Sequence, residues 1–197
     1  HGYDLRHTLK RIALSATYAR SSVPVEGNET DDRFYSHMIQ KPMEPAVLAD
    51  AISDVLGVAS QYGSEQYGTR AVELPDGSIR SDALDILGRC DRSSSCEGAP
   101  SPTGPLAQKL HLFNGALLND RIGKVGSRLD QLLKAEKEPM EIARDYYQTA
   151  LNRPPNELEI RFLGRLLNSA KSPKEQENLL EDFVWSIVTC KEFVMNH

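Results

Sequence analysis

From Pro139 to its end the chain carries three successive amphipathic runs, each with its own start signal, and this series constrains the fold more than any other feature. Pro139 opens a run in which Ile142, Ala143, Tyr146, Tyr147, Ala150 and Leu151 recur at three- and four-residue spacing. Arg153-Pro154-Pro155 ends it, because proline has no N–H to donate and restricts the residue before it. Asn156 with Glu159 then forms a capping box for a run carrying Leu158, Phe162, Leu163, Leu166 and Leu167. Ser172-Pro173-Lys174-Glu175 repeats the device before Leu179, Leu180, Phe183, Val184, Ile187 and Val188. A compact helical bundle is predicted for the C-terminal third.

Upstream the same reading gives fewer and more scattered helices. Asp4 can cap a helix from 4 to about 20 with Leu5, Leu9, Ile12, Ala13 and Ala16 on one face, followed by a loop over 21–32 whose far end Phe34 and Tyr35 anchor. Pro42 and Pro45 bracket the start of a helix with Val47, Leu48, Ala51, Ile52, Val55 and Leu56 inward, stopped by Gly57. Residues 61–82 read as extended chain with at most one short strand or hairpin, and 82–87 as a helical turn ending at Gly88. A loop bracketed by Cys90 and Cys96 follows, then a helix over 105–119 with Leu106, Leu110, Phe113 and Leu117 aligned, and a short one over 127–136 with Leu129, Leu132 and Leu133 inward. The predicted class is mainly α: an irregular multi-helix bundle with one long loop-rich segment and at most a short strand pair. We expect a single domain over 1–197, with N-terminal helices and the loop-rich segment in 1–104 and the C-terminal bundle in 105–197.

At 197 residues the chain can bury about 70% of its unfolded surface without a metal or disulfide framework. Its net charge of -5, with basic residues scattered, argues against nucleic acid, and charges interrupt every apolar stretch too early for a membrane span. His1-Gly2-Tyr3-Asp4 runs directly into a helical pattern with no initiator Met, so a processed or excised piece of a longer protein is expected. Cys90 and Cys96, with five residues between them, are either bridged in an oxidising compartment or two packed thiols; Cys190 reads as a small buried apolar residue. Cys90, Cys96 and His111 match no zinc-site spacing, and no Cys-x-x-Cys-His haem motif occurs, so neither metal nor cofactor is expected.

Several blocks in order along the chain carry a resemblance: Asp4-Leu5-Arg6 with Ser15-Ala16-Thr17-Tyr18, Val47-Leu48-Ala49-Asp50-Ala51, Gly68-Thr69-Arg70-Ala71-Val72, Gly88-Arg89 with Asp91-Arg92, Leu106-Ala107-Gln108 with Asn114-Gly115, Asn152-Arg153-Pro154-Pro155, and Lys191-Glu192-Phe193. Together they resemble the C-terminal planctomycete-specific "PSD one" domain, a domain of unknown function. The resemblance implies a larger exported protein with an upstream partner domain, a periplasmic or cell-surface setting and an association with polysaccharide systems. It supplies no catalytic residues. The chain departs from the pattern at Lys41-Pro42, where paired arginines are usual, and at Ala46, where a glutamate is usual.

Arg70, Arg89 and Arg92, with Glu73, Asp85, Asp91 and Glu97, are the candidate ligand or docking residues, expected where the extended segment meets the cysteine loop. Arginine forks can orient carboxylates or sugar hydroxyls, although a purely structural network is the favoured reading of the same residues. Acid pairs such as Glu73 with Asp76 or Asp85 with Asp91 would serve glycoside hydrolysis only if opposed across a cleft. His37 and His111 read as packing residues, Ser93 to Ser95 lack a nucleophile elbow, and Tyr146, Tyr147 and Trp185 sit at helical spacing. The leading expectation is a non-catalytic interaction or scaffold domain that docks on its upstream domain or on a protein partner. The alternative is part of a carbohydrate-binding or carbohydrate-active protein whose cleft an upstream domain completes. A concave aromatic-lined pocket with an acid pair favours the second, and an apolar patch on the helices favours the first.

Overall fold

A computed structural model gives residues 1–31, 33–34, 36–75, 79–89 and 116–196, with the backbone alone for Ile86, Ala116 and Leu117. The chain divides into two units, His1–Pro42 with Met195–His197, and Met43–Val194.

In the first unit α1 (Leu5–Ala13) starts where predicted, the Asp4 carboxylate accepting the His7 N–H at 3.1 Å. It stops at Ala13 instead of near residue 20. The Ser15 hydroxyl accepts the Tyr18 N–H at 3.2 Å, and such a local turn competes with continuing the helix. The loop that follows is organised by Asp31, whose carboxylate accepts the N–H groups of Arg33, Phe34 and Ser36 at 3.0, 2.8 and 3.0 Å. Those bonds, with the Ser36 side chain contributing most, hold the Asp31 carboxyl far below the usual carboxylate range. Phe34, expected to anchor this loop, is 87% exposed and does not; Tyr35 lies outside the described residues. Strand β1 (Lys41–Pro42) pairs antiparallel with β2 (Met195–Asn196), Lys41 opposite Asn196 and Pro42 opposite Met195. This is the short strand pair; the strand allowed within 61–82 is absent from its described residues, which form a 3₁₀ turn at Ala71–Glu73. No described residue of this unit is buried.

The second unit holds the core. Helix α2 (Pro45–Leu56) begins on proline and ends at Gly57, where φ is +67° and an added Cβ would lie 3.2 Å from the Arg128 nitrogen. α3 (Asp82–Ile86) is capped by Ser81, α4 spans Ala116–Ile122, and α5 (Arg128–Lys134) is capped by buried Ser127, whose hydroxyl also donates to the Ile122 carbonyl at 3.0 Å. Then come α6 (Pro139–Leu151), α7 (Glu157–Asn168), α8 (Pro173–Thr189) and α9 (Lys191–Val194). The capping box at Asn156 and Glu159 and the cap at Ser172 form as predicted.

α8 packs against α4, α6, α7 and α9, while α2 packs against the 3₁₀ turn, α3, α4, α5 and α6. Leu48, Ile52, Leu56, Leu118, Leu129, Ile142, Tyr146, Leu180, Val184 and Val188 are fully buried between them, and the Tyr146 and Phe183 rings meet edge to face, 6.4 Å between centroids. The fold is mainly α, as the sequence indicates. Three side chains depart from their expected faces. Val47 points outward on α2, and Leu158 and Phe162 stand exposed on α7. Cys190 is only half-buried at the end of α8, although it packs against the core and burial raises its thiol pKa.

Ile142 has no exposed surface, so Ile142→Ala should cost about 2–5 kcal/mol in urea unfolding. Val125→Ala, at an exposed site in the same unit, should stay within about 0.5 kcal/mol of the parent.

Candidate functional site

Of the three arginines singled out in the sequence, Arg70 and Arg89 engage carboxylates, but on different elements. α2 places Asp50 one turn before Asp54, and both reach the segment around the 3₁₀ turn. Asp50 is 5% exposed, and its carboxylate accepts the N–H of Ala71 at 2.7 Å and of Val72 at 3.1 Å. Arg70 brings Nε within 3.6 Å of Asp50 and makes a bidentate pair with Asp54 at 3.2 and 2.9 Å. Glu73 turns back to accept the Arg70 N–H at 3.2 Å, closing the turn. Arg89 instead bonds to Asp85, one turn earlier, and donates to the Ile79 carbonyl at 2.7 Å. Among the described residues no ion pair joins these two sets. Asp76, Cys90, Asp91, Arg92, Cys96, Glu97 and His111 lie outside the described residues, so their convergence and the disulfide do too.

Arginines that sequence reasoning passed over hold the far end of α2. Arg128 donates from Nε to the Val55 carbonyl at 3.0 Å and from Nη1 to Asp145 at 3.2 Å. Arg121 bonds to the hydroxyls of Ser53 and Ser60 at 3.2 and 2.7 Å, and its burial lowers its pKa. Helix-end carbonyls need such donors once water is excluded. Tyr62 is buried nearby, whereas Tyr67 is exposed.

A second network joins α6, α7 and α9. Asn152 takes the left-handed conformation at the end of α6, φ +53°, which turns Arg153 back over the bundle. The Arg153 guanidinium pairs with Glu192 at 2.7 and 2.8 Å and with Glu159 at 2.9 and 2.9 Å, while lying 5.3 Å from the centre of the Tyr147 ring. The bonds to Glu192 and Glu159 raise the Arg153 pKa, and Arg153 in turn holds Glu159 below its ordinary value. Burial, reinforced by the Glu159 charge, pushes the Tyr147 hydroxyl up to about 12. Two carboxylates and one permanent cation make a fixed brace rather than a proton-transfer site.

Two surface concavities flank this brace. A groove of about 440 Å³ between α7 and α8 is lined by Leu158, Phe162, Leu163 and Leu166, with Phe183 and Asp182 on the other wall. Leu158 and Phe162 are 69% and 60% exposed there. On the other side lies a mixed cleft of about 660 Å³, lined by Lys137, Glu141, Arg144, Asp145 and Gln148 together with Leu132, Pro154, Pro155 and Ile160. Its acids Glu141 and Asp145 stand one turn apart on α6 and pair with Lys137 at 4.0 Å and Arg128 at 3.2 Å. Among the described residues no cluster of three or more metal-ligating side chains forms and no helix is long and apolar enough to cross a membrane.

These features define a mainly helical domain braced by arginine–carboxylate pairs, with an open apolar groove. The chain belongs to the PSD1 family, "Protein of unknown function (DUF1553)", whose model matches residues 1–167. No curated protein and no solved structure matches it.

Replacing Asp50 by Asn keeps one acceptor oxygen and turns an amide NH₂ toward the other backbone donor, and chemical denaturation should show a loss of about 1–3 kcal/mol. Arg153→Ala should cost a similar about 1–3 kcal/mol, and Arg153→Lys should recover only part, since an ammonium cannot make both bidentate pairs. Because the folded Glu159 pKa lies below its unfolded value, its contribution is complete above about pH 4.5 and is lost as the pH falls through the folded value. In Arg153→Ala, the acid limb of the stability–pH profile should flatten.

Proposed function

We propose that this chain is a non-catalytic docking and scaffold module of an exported multidomain protein, set in the periplasm or at the cell surface, which receives its upstream domain or a protein partner. The α7–α8 groove carries this reading. Leu158 and Phe162 expose a contiguous apolar surface on a helix whose other face is locked into the core, and such patches mark interaction sites. The arginines are consistent with this, since Arg70 and Arg89 engage carboxylates of the chain's own helices. Arg153, bonded to Glu159 and Glu192, keeps α7 rigid beside the groove.

A carbohydrate-binding or carbohydrate-active role would call on the mixed cleft beside Glu141 and Asp145. None of its lining residues is aromatic, and its two acids share a helix face instead of opposing each other at the separation glycoside hydrolysis needs. The docking reading therefore has the better physical support.

A neutral apolar dye such as Nile red, added to the dilute protein, should brighten on binding the groove. The double variant Leu158→Asp with Phe162→Asp should lose most of that signal while keeping the parent melting temperature; an unchanged signal would reject the reading. An exported setting predicts that Cys90 and Cys96 are bridged, so intact-mass analysis after alkylation should find them blocked until a reductant is added.

A further inference from the structure

We infer that the first unit carries a binding pocket for a small organic acid, a single carboxylate on an aromatic or apolar body. This site is independent of the α7–α8 groove and goes beyond the docking reading. A cavity of about 370 Å³, within the range of small-molecule sites, is lined from the end of α1, the turn that follows it, His37 and Met38, and strand β2. The turn shapes it. Because the Ser15 hydroxyl accepts the Tyr18 N–H and the Ser15 carbonyl that of Ala19, α1 stops early, and Thr17, Tyr18 and Arg20 line the cavity with Ile12 of the helix. The pairing of β2 with β1 adds Asn196 from the other end of the chain.

The lining combines apolar surface with polar groups that nothing in the chain uses. Ile12, Met38 and the exposed Tyr18 ring supply the apolar part. The side chains of Thr17, Arg20 and Asn196 have no hydrogen-bond or ion-pair partner among the described residues, and the buried Nδ1 of His37 has none either. Arg70, Arg89, Arg128 and Arg153, by contrast, each hold a carboxylate of the chain itself. A buried ring nitrogen left unbonded costs free energy, and in the tautomer protonated there Nδ1 is one more donor to an oxyanion. No acid stands among the described lining residues. Asp31, the described acid nearest to His37 in sequence, is bonded to the backbone N–H groups of Arg33, Phe34 and Ser36. A guanidinium fork fits the two oxygens of a carboxylate, the Thr17 hydroxyl and Asn196 amide are further donors in the same cavity, and the Tyr18 ring offers a flat face to the body of the acid. One permanent cation matches one negative charge, whereas a phosphate dianion would be left half neutralised.

The amide NMR spectrum of the full chain, titrated with sodium benzoate at constant ionic strength, should show saturable shifts centred on residues 12, 17–20 and 37–38, and the His37 ring nitrogens should shift with them. Benzyl alcohol has the ring without the charge, and inorganic phosphate the charge without the ring; each should bind about tenfold or more weakly. Arg20→Gln, at an exposed position, should weaken benzoate binding about five- to tenfold without changing the melting temperature. Arg11→Gln, which removes a charge from α1 outside the cavity lining, should leave the affinity as it is. Shifts that fail to saturate, benzoate affinity untouched by Arg20→Gln, or phosphate binding as tightly as benzoate would each overturn the inference.

Discussion

A carboxylate placed inside an apolar helix face must find donors or lose its charge, and Asp50 finds them in the backbone of another segment. The N–H groups of Ala71 and Val72 point at it from a stretch that has no extended ladder of its own, and Arg70 stands beside it as counter-ion. That arrangement explains how residues 61–75 stay ordered on α2 with only a single 3₁₀ turn between them. It fixes the conformation as well: Glu73 can close the turn only when Arg70 is held in the extended conformation that its bonds to α2 require. With one face of α2 occupied by this segment, its C-terminal end is left to Arg121 and Arg128, which bring in α4 and α5.

The same logic recurs at Arg153, and it gives a physical meaning to the sequence blocks of the family. Val47 to Ala51 and Gly68 to Val72 are far apart in the chain, yet Asp50 of the first takes the N–H groups of Ala71 and Val72 of the second. Asn152 to Pro155 and Lys191 to Phe193 are likewise joined, by the Arg153 pair with Glu192. The latter lies beyond the matched residues 1–167, so the brace reaches past the matched region into α9. Blocks of this kind preserve geometry. Asp50, Arg70, Arg153 and Glu192 of these blocks are engaged with other parts of the chain.

What was legible in the sequence was local. The caps at Asp4, Asn156 and Ser172, the proline starts of α2, α6 and α8, and the buried faces of α6 and α8 depend on neighbours within a turn or two, so periodicity and cap chemistry suffice. The Asp50 and Arg153 partners were not legible, because pairing across dozens of residues leaves no local signature. A signal did exist for each: an acid within the apolar run Leu48 to Ile52, and an arginine wedged between a left-handed Asn152 and two prolines. Arg70 and Arg89 were named as candidates, but their partners on α2 and α3 could only be found once those helices were in place.

α7 shows where pattern and packing part company. Placed at 100° per residue, Leu158, Phe162, Leu166, Leu163, Leu167 and Ile160 spread over about 200° of the helix, whereas the buried pair Leu163 and Leu167 occupies a narrow sector near one side. An ordinary surface helix needs an apolar arc only as wide as the face it buries. The excess here is the arc of Leu158 and Phe162, and it faces a groove whose other wall, Phe183 and Asp182, is held firm by the core packing of α8. Departures of that kind, in which each local rule is obeyed except at one coherent patch, are where a stable fold carries a second requirement besides its own stability. On the docking reading proposed above, that requirement on α7 is contact with another surface.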